Sequence, residues 1–149
     1  MNEHFHLDGF LPYRLHRAAE AIGRGFAEEY KAIYGLTRPE WRALAALGQR
    51  GRLTATEIGQ HADMHKTQVS RAVTRLAARG WLTRHENPRD RRVEFLELTA
   101  AGQSAFGRLT QIALRYQARL VDRLGATGAK ALDQYLAVIE TPPAPSPAP

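Results

Sequence analysis

The chain contains no cysteine, which excludes a disulfide scaffold, a thiolate metal site, a cysteine nucleophile and a thiol redox sensor within it. No apolar run approaches the roughly 20 residues that a membrane-spanning helix needs. The opening segment MNEHFHLDGF lacks the basic-then-apolar order of a secretory signal, so no membrane partner and a cytoplasmic location are expected. Internal repeats are missing, as are the G-x-S-x-G, Walker and G-x-G-x-x-G patterns, so a hydrolase, nucleotidase or dinucleotide enzyme has no support. A non-enzymatic protein without a cofactor is expected. His4-x-His6 and His61-x-x-x-His65 have strand-like and helix-like ligand spacings. However, the first pair lies in a terminal segment, the second crosses a turn, and no carboxylate motif accompanies either, so no metal site is assigned.

What is present is a chain of 149 residues, 44% of them hydrophobic, long enough to bury roughly 70% of its unfolded surface around one core. Its formal net charge of +6 is unevenly placed. The segment Arg50 to Arg92 holds ten basic residues against four acidic ones and accounts for the whole excess, while the eleven basic and eleven acidic residues elsewhere cancel. A basic footprint confined to one segment points to a polyanion-binding surface, because clustered cations release the counterions condensed on phosphates. A solvated basic face would leave the same composition.

Apolar spacing predicts a helix from about Gly9 to Tyr34 through Leu11, Leu15, Ile22, Phe26, Tyr30 and Ile33, stopped by Gly35. Thr37-Arg38-Pro39-Glu40 and Thr54-Ala55-Thr56-Glu57 have capping-box spacing and start a second and a short third helix. Asp63-Met64-His65 breaks the latter. A fourth helix, Lys66 to Arg79, places Val69, Val73 and Leu76 on one side and polar or basic residues on the other, and ends at Gly80. Two extended runs follow, Trp81 to Glu86 and Arg92 to Leu98, joined by a five-residue link from Asn87 to Arg91. Helical spacing returns from Thr99, and Gly125 to Gly128 separates a last helix. The proline-rich end TPPAPSPAP has no apolar surface to bury and is expected to be disordered.

A short helix, a tight turn, a second helix with a polar outer face and a hairpin with an arginine-rich tip make a winged helix-turn-helix. The expected fold is mostly α with a small β-hairpin wing. The recognition helix would be Lys66 to Arg79. Gln68 and Arg71 are the candidates for base contacts, since Gln pairs with adenine and Arg with guanine. Lys66, Thr67, Ser70 and Arg75 suit phosphate or base, and composition does not sort them. Arg89, Arg91 and Arg92 at the wing tip suit a narrow, electronegative minor groove.

With these residues in view, the chain resembles the MarR family of bacterial transcriptional regulators from about residue 7 to 140. The resemblance rests on Gly35-Leu36-Thr37 with Trp41, on Val69 to Leu76 running into Arg79-Gly80-Trp81-Leu82, on the wing Asn87-Pro88-Arg89-Asp90-Arg91-Arg92, and on Leu98-Thr99-Ala100-Ala101-Gly102. It implies that Arg92 enters the minor groove and that Asp90 shapes the wing by pairing with a nearby arginine. His65 departs from the family, which commonly has Ser or Asp there, and is expected to cap poorly or to touch a phosphate.

The resemblance further implies a homodimer built from the terminal helices. The expected organisation is an N-terminal dimerisation segment (1–36), a DNA-binding domain (37–99), C-terminal dimerisation helices (100–140) and the tail (141–149). Two recognition helices about a twofold axis would bind half-sites roughly 34 Å apart on double-stranded DNA. The resemblance also implies a small-molecule effector, an aromatic carboxylate or phenol, for which Tyr13, His16, Arg17, Arg38 and Trp41 supply aromatic faces and cations. Tyr13 and Trp41 equally suit core packing, and Arg17 and Arg38 a solvated surface. The expected function is thus a ligand-responsive, sequence-specific repressor, with a sequence-neutral architectural DNA binder or a metal-responsive regulator as alternatives.

Overall fold

The computed structural model describes residues 4–141. After a single 3-10 turn at Leu7–Gly9 come helices α1 (Leu11–Tyr34) and α2 (Arg38–Arg50), strand β1 (Leu53–Thr54), helices α3 (Ala55–Ala62) and α4 (Lys66–Ala78), strands β2 (Leu82–Asn87) and β3 (Asp90–Leu98), and helix α5 (Ala100–Glu140). The capping boxes exist as atoms: Thr37 with Glu40 opens α2, and Thr54 with Glu57 opens α3. Gly35 ends α1 with φ of 63°, and Asp63, also left-handed at φ 50°, ends α3. Gly125 leaves helical geometry (φ 74°, ψ 158°) and divides α5 into two helical stretches, as the glycines there predict.

The sheet has three antiparallel strands in the order β1-β3-β2. Two sequence expectations need correction here. β1 was not anticipated: it is two residues long, and its partners Leu96 and Phe95 lie about 40 positions away. The wing connection is two residues, Pro88 and Arg89, and not five, because Asn87 already pairs with Asp90 and Arg91 and Arg92 belong to β3. Side chains make the shorter turn possible. Asn87 Oδ1 accepts the Arg89 N–H at 3.0 Å and Asp90 Oδ1 accepts the Arg92 N–H at 3.1 Å, so the amides flanking the turn are satisfied locally.

Contacts group the chain into two compact units, one reaching Ile112 and one from Ala113 onward. The first holds the core: Leu44 and Leu47 of α2, Ile58 of α3, Val69, Val73 and Leu76 of α4, Leu96 and Leu98 of β3, and Leu109 and Ile112 of α5. Tyr30 and Leu36 join it, with Phe26 and Trp41 packed against it. The compact unit is therefore wider than residues 37–99, since the end of α1 and the start of α5 pack into it. Helix α5 is fastened at its start by Thr99, whose hydroxyl accepts the Gly102 N–H at 3.1 Å and donates to the Gly80 carbonyl at 2.7 Å. In the second unit the α5 side chains Leu114, Val121, Leu124, Leu132, Leu136 and Ile139 are exposed.

Candidate nucleic-acid interface

Helix α4 is built to show one side. Val69, Ala72, Val73 and Leu76 are buried in the core, and Lys66, Thr67, Ser70, Arg71, Thr74 and Arg75 are left on the surface. Its first turn carries a reciprocal cap that the sequence reading did not foresee. His65 Nδ1 accepts the Gln68 N–H at 3.3 Å, and Gln68 Oε1 accepts the His65 N–H at 3.2 Å. The expectation of a poor cap at His65 is corrected: the imidazole lone pair does the work of a Ser or Asp oxygen, in the same i, i+3 spacing. Gln68 is consequently not free to offer both amide atoms to a base.

The wing meets this helix across a cleft of about 820 Å³, where Lys66, Ser70 and Val73 of α4 face Arg84 of β2 and Arg91 and Arg92 of β3, with Gly59 and Gln60 of α3 beside them. Asp90 grips Arg92 at both carboxylate oxygens, 3.0 Å to Nε and 3.2 Å to Nη2. Together with the Arg92 backbone N–H, this contact holds the Asp90 carboxyl below its ordinary value of 3.8. The arginine that Asp90 pairs with is thus the wing-tip residue itself, two positions along, and that side chain is still 90% exposed.

Folding redistributes the basic block. Glu94 and Glu97 lie just outside Arg50 to Arg92 in sequence, but the hairpin returns them to Arg84 (3.1 Å) and to Arg52 (3.0 Å) and His85 (3.3 Å). The Arg52 guanidinium, by hydrogen bond and then by charge, lowers the Glu97 carboxyl below its ordinary range. Glu40, 2% exposed, reaches Arg75 at 3.4 Å and Arg79 at 4.0 Å while also capping α2. Sequence reading took Glu40 only as a cap; a partner 35 positions away leaves no local signal. Arg75 is therefore oriented by α2 and is not wholly free for phosphate. Lys66, Arg71, Arg89 and Arg91 make no ion pair among the described residues, nor does Arg50 at the end of α2.

The five residues expected to hold an effector do not gather at this cleft. Trp41 belongs to an aromatic cluster with Phe26 (5.3 Å between ring centroids) and Tyr30 (6.1 Å). Arg38 bonds Glu20 at 3.1 Å, which draws the Glu20 carboxyl below its usual value, and it lies against Gly23, where a Cβ would come within 3.0 Å of Nη2. His16 lies one turn from Glu20 on α1, close enough for its charge to be felt there. Arg17 sits over the Tyr13 ring at 5.8 Å and meets Asp8 at 3.5 Å. Burial raises the Tyr30 hydroxyl, with Arg38 opposing it.

A surface-facing helix in a helix-turn-helix, flanked by a wing whose arginines share its cleft, defines a winged helix-turn-helix DNA-binding protein. Residues 34–93 match the family model described as MarR family. The chain is 27% identical over 123 residues to a protein named as transcriptional regulatory protein for the hcr operon of Thauera aromatica, covering 80% of this chain and 74% of that one. Among solved structures, the transcriptional repressor CouR bound to a 23-mer DNA duplex is 29% identical with a TM-score of 0.80, over 90% of this chain and 94% of that one. The MarR family regulator SPO1453 of Silicibacter pomeroyi is 28% identical with a TM-score of 0.76, over 91% and 96%. The chain thus resembles the MarR family of transcriptional regulators, in sequence over its helix-turn-helix and wing and in fold over most of its length.

Proposed function

We propose that this regulator is a homodimeric repressor that reads a pseudo-palindromic operator and releases it on binding a small aromatic anion. The observation that carries the DNA reading is the shared cleft: unpaired Lys66 and Arg91 and the exposed Arg92 converge from helix and wing on one groove. A duplex fits that arrangement, with α4 in the major groove and the wing over the neighbouring minor groove. Thr67 and Ser70 are then placed for phosphate or base, Arg89 for the backbone beside the wing, and Arg71 for a base edge. The Arg71 reading is tested by Arg71→Ala, which is expected to cost about 1–3 kcal/mol at one base position. Equal losses on operator and on random duplex would make Arg71 a phosphate contact and remove base readout at that residue.

Support for the dimer comes from where apolar surface is left uncovered. The large hydrophobic side chains that stay exposed are Phe5, Leu7, Phe10, Leu11, Ile22 and Ile33 before Tyr34, and Leu114 and those following it after Ala113. The DNA-binding segment between contributes none of them. Surface of this kind on terminal helices is what a second copy of the chain would bury.

The effector reading is supported by Arg38. Its guanidinium is about one-third exposed (34%), bonds Glu20 and reaches the hydroxyl of Tyr30, whose ring packs with those of Phe26 and Trp41. A phenolic or benzoic carboxylate that replaced Glu20 would gain a charge-assisted bond and an aromatic contact, with His16, Arg17 and Tyr13 on the same helix as Glu20. Release follows if the anion binds the DNA-incompetent dimer better. A panel of phenolic and benzoic acids is expected to lower operator binding by wild type, and Arg38→Ala to abolish that response while leaving operator affinity in place. An undiminished response in Arg38→Ala would place the effector elsewhere.

A further inference from the structure

The first turn of α4 fixes which half of the Gln68 amide faces outward. A glutamine that pairs with adenine needs both ends of its carboxamide, the oxygen accepting from the base's N6–H and the nitrogen donating to N7. Here the oxygen is engaged, because Oε1 sits 3.2 Å from the His65 backbone N–H, a group that only donates. The bond is returned by His65 Nδ1 accepting the Gln68 N–H at 3.3 Å, so the two residues lock each other in the capping-box arrangement. With Oε1 turned back onto the helix start by its bond to the His65 N–H, the part of the carboxamide left wholly unengaged is Nε2, with two N–H donors and no partner among the described residues. It stands in the N-terminal turn of the recognition helix, the part that reaches base edges in helix-turn-helix proteins.

Resting on the operator-reading function above, we propose that Gln68 is a specificity-determining residue that presents donors only and therefore selects guanine, not adenine, at the base pair it meets. Guanine shows two adjacent acceptors in the major groove, N7 and O6, and both can be served by one NH₂ group. Adenine places its N6–H₂ donor where guanine has O6, so a donor-only amide meets a donor and keeps one bond at most. Cytosine offers only the N4–H₂ donor and is disfavoured outright. His65 acts here as a positioning residue: its main-chain N–H withholds the Gln68 oxygen, and its imidazole anchors the backbone from which that side chain departs. The capping box thus links helix start and base choice in one pair of side chains.

The test substitutes Gln68→Glu. A glutamate keeps the acceptor that the His65 N–H requires, so the cap persists, but its second oxygen accepts where the amide donated. Selection from a random-sequence duplex library is run in parallel with wild type and Gln68→Glu, with a thermal melt of each protein to show that both fold. The expected result is guanine at one base pair of each half-site for wild type and a shift to cytosine there for Gln68→Glu, with the relative preference of the two bases changing on the order of tenfold. Gln68→Ala is expected to relax that position alone. An enriched operator with adenine at the position relaxed by Gln68→Ala, or an operator whose sequence Gln68→Glu leaves unchanged, would overturn the donor-only assignment and leave the sequence-specific regulator standing. No enriched sequence for wild type would overturn that regulator reading, and this inference with it.

Discussion

Asp90 and Arg92 show how a carboxylate can hold a wing-tip guanidinium in place without covering it. The carboxylate takes three bonds from Arg92, two from the guanidinium and one from its backbone N–H, yet the arginine stays almost fully exposed. Because the contact depresses the carboxyl, its contribution is complete above the ordinary aspartate value and is lost only as pH falls through the lower folded-state value. Carboxyl NMR of the wing is therefore expected to give Asp90 a midpoint below 3.8, with wing shifts constant through neutral pH; a midpoint at or above 3.8 would mean that the pair does not persist in solution. At this scale the sequence was readable wherever partners are close together. The Thr37 and Thr54 boxes follow from three-residue spacing alone, whereas the pairing of Asp90 with an arginine was expected only from the family resemblance and the two-residue turn was not foreseen. His65 as a cap was missed because imidazole is an unusual acceptor there, although Gln68 three residues on was the signal available. The Glu40 bonds to Arg75 and Arg79 were out of reach, since only the packing of α4 against α2 brings them together.

Elements were legible by periodicity, and their ends by glycine and by capping residues. α1 to α4 begin and end within a residue or two of their expected bounds because each boundary has a local chemical cause: left-handed Gly35 and Asp63, and Thr or His at the caps. Strands were harder. β1 exists only through its pairing with β3, and two residues carry no period of their own. The junction between wing and α5 explains why Gly102 follows Thr99 by three: α5 starts so close to Trp81 that a Cβ at Gly102 would overlap the Trp81 carbonyl oxygen. That oxygen is fixed by accepting the Thr99 N–H at 3.0 Å and has little room to yield. Gly102→Ala is expected to destabilise the fold by roughly 1–3 kcal/mol through overpacking, despite alanine's better helix propensity. Denaturant unfolding measures this, and a variant as stable as wild type would show that the junction can open without cost.

At the scale of the whole molecule, apolar pattern and burial part company. The stripe Leu11, Ile22 and Ile33 has helical spacing, but in the single chain these side chains are exposed, while Phe26 and Tyr30 on the same helix pack at the core. Periodicity reports that a face is apolar and not which molecule covers it, so the core of the DNA-binding lobe was readable from one sequence and the covering of the ends was not. Charge behaves in the same way: the basic block was visible as a sum, whereas the hairpin and α2 neutralise part of it and leave Arg50, Lys66, Arg71, Arg89 and Arg91 without an ion pair among the described residues. A dimer that uses those cations to dock and α4 to read bases must combine salt dependence with sequence preference. The measurement that tests this most directly is selection from random duplexes at near-physiological salt, followed by affinities for the selected and a scrambled duplex over a salt series. A pseudo-palindrome with half-sites roughly 34 Å apart, bound about a thousandfold or more tighter than the scrambled duplex, is the predicted result. Equal affinity for both duplexes, decaying together with salt and with no enriched motif, would contradict sequence-specific regulation and leave an architectural DNA binder.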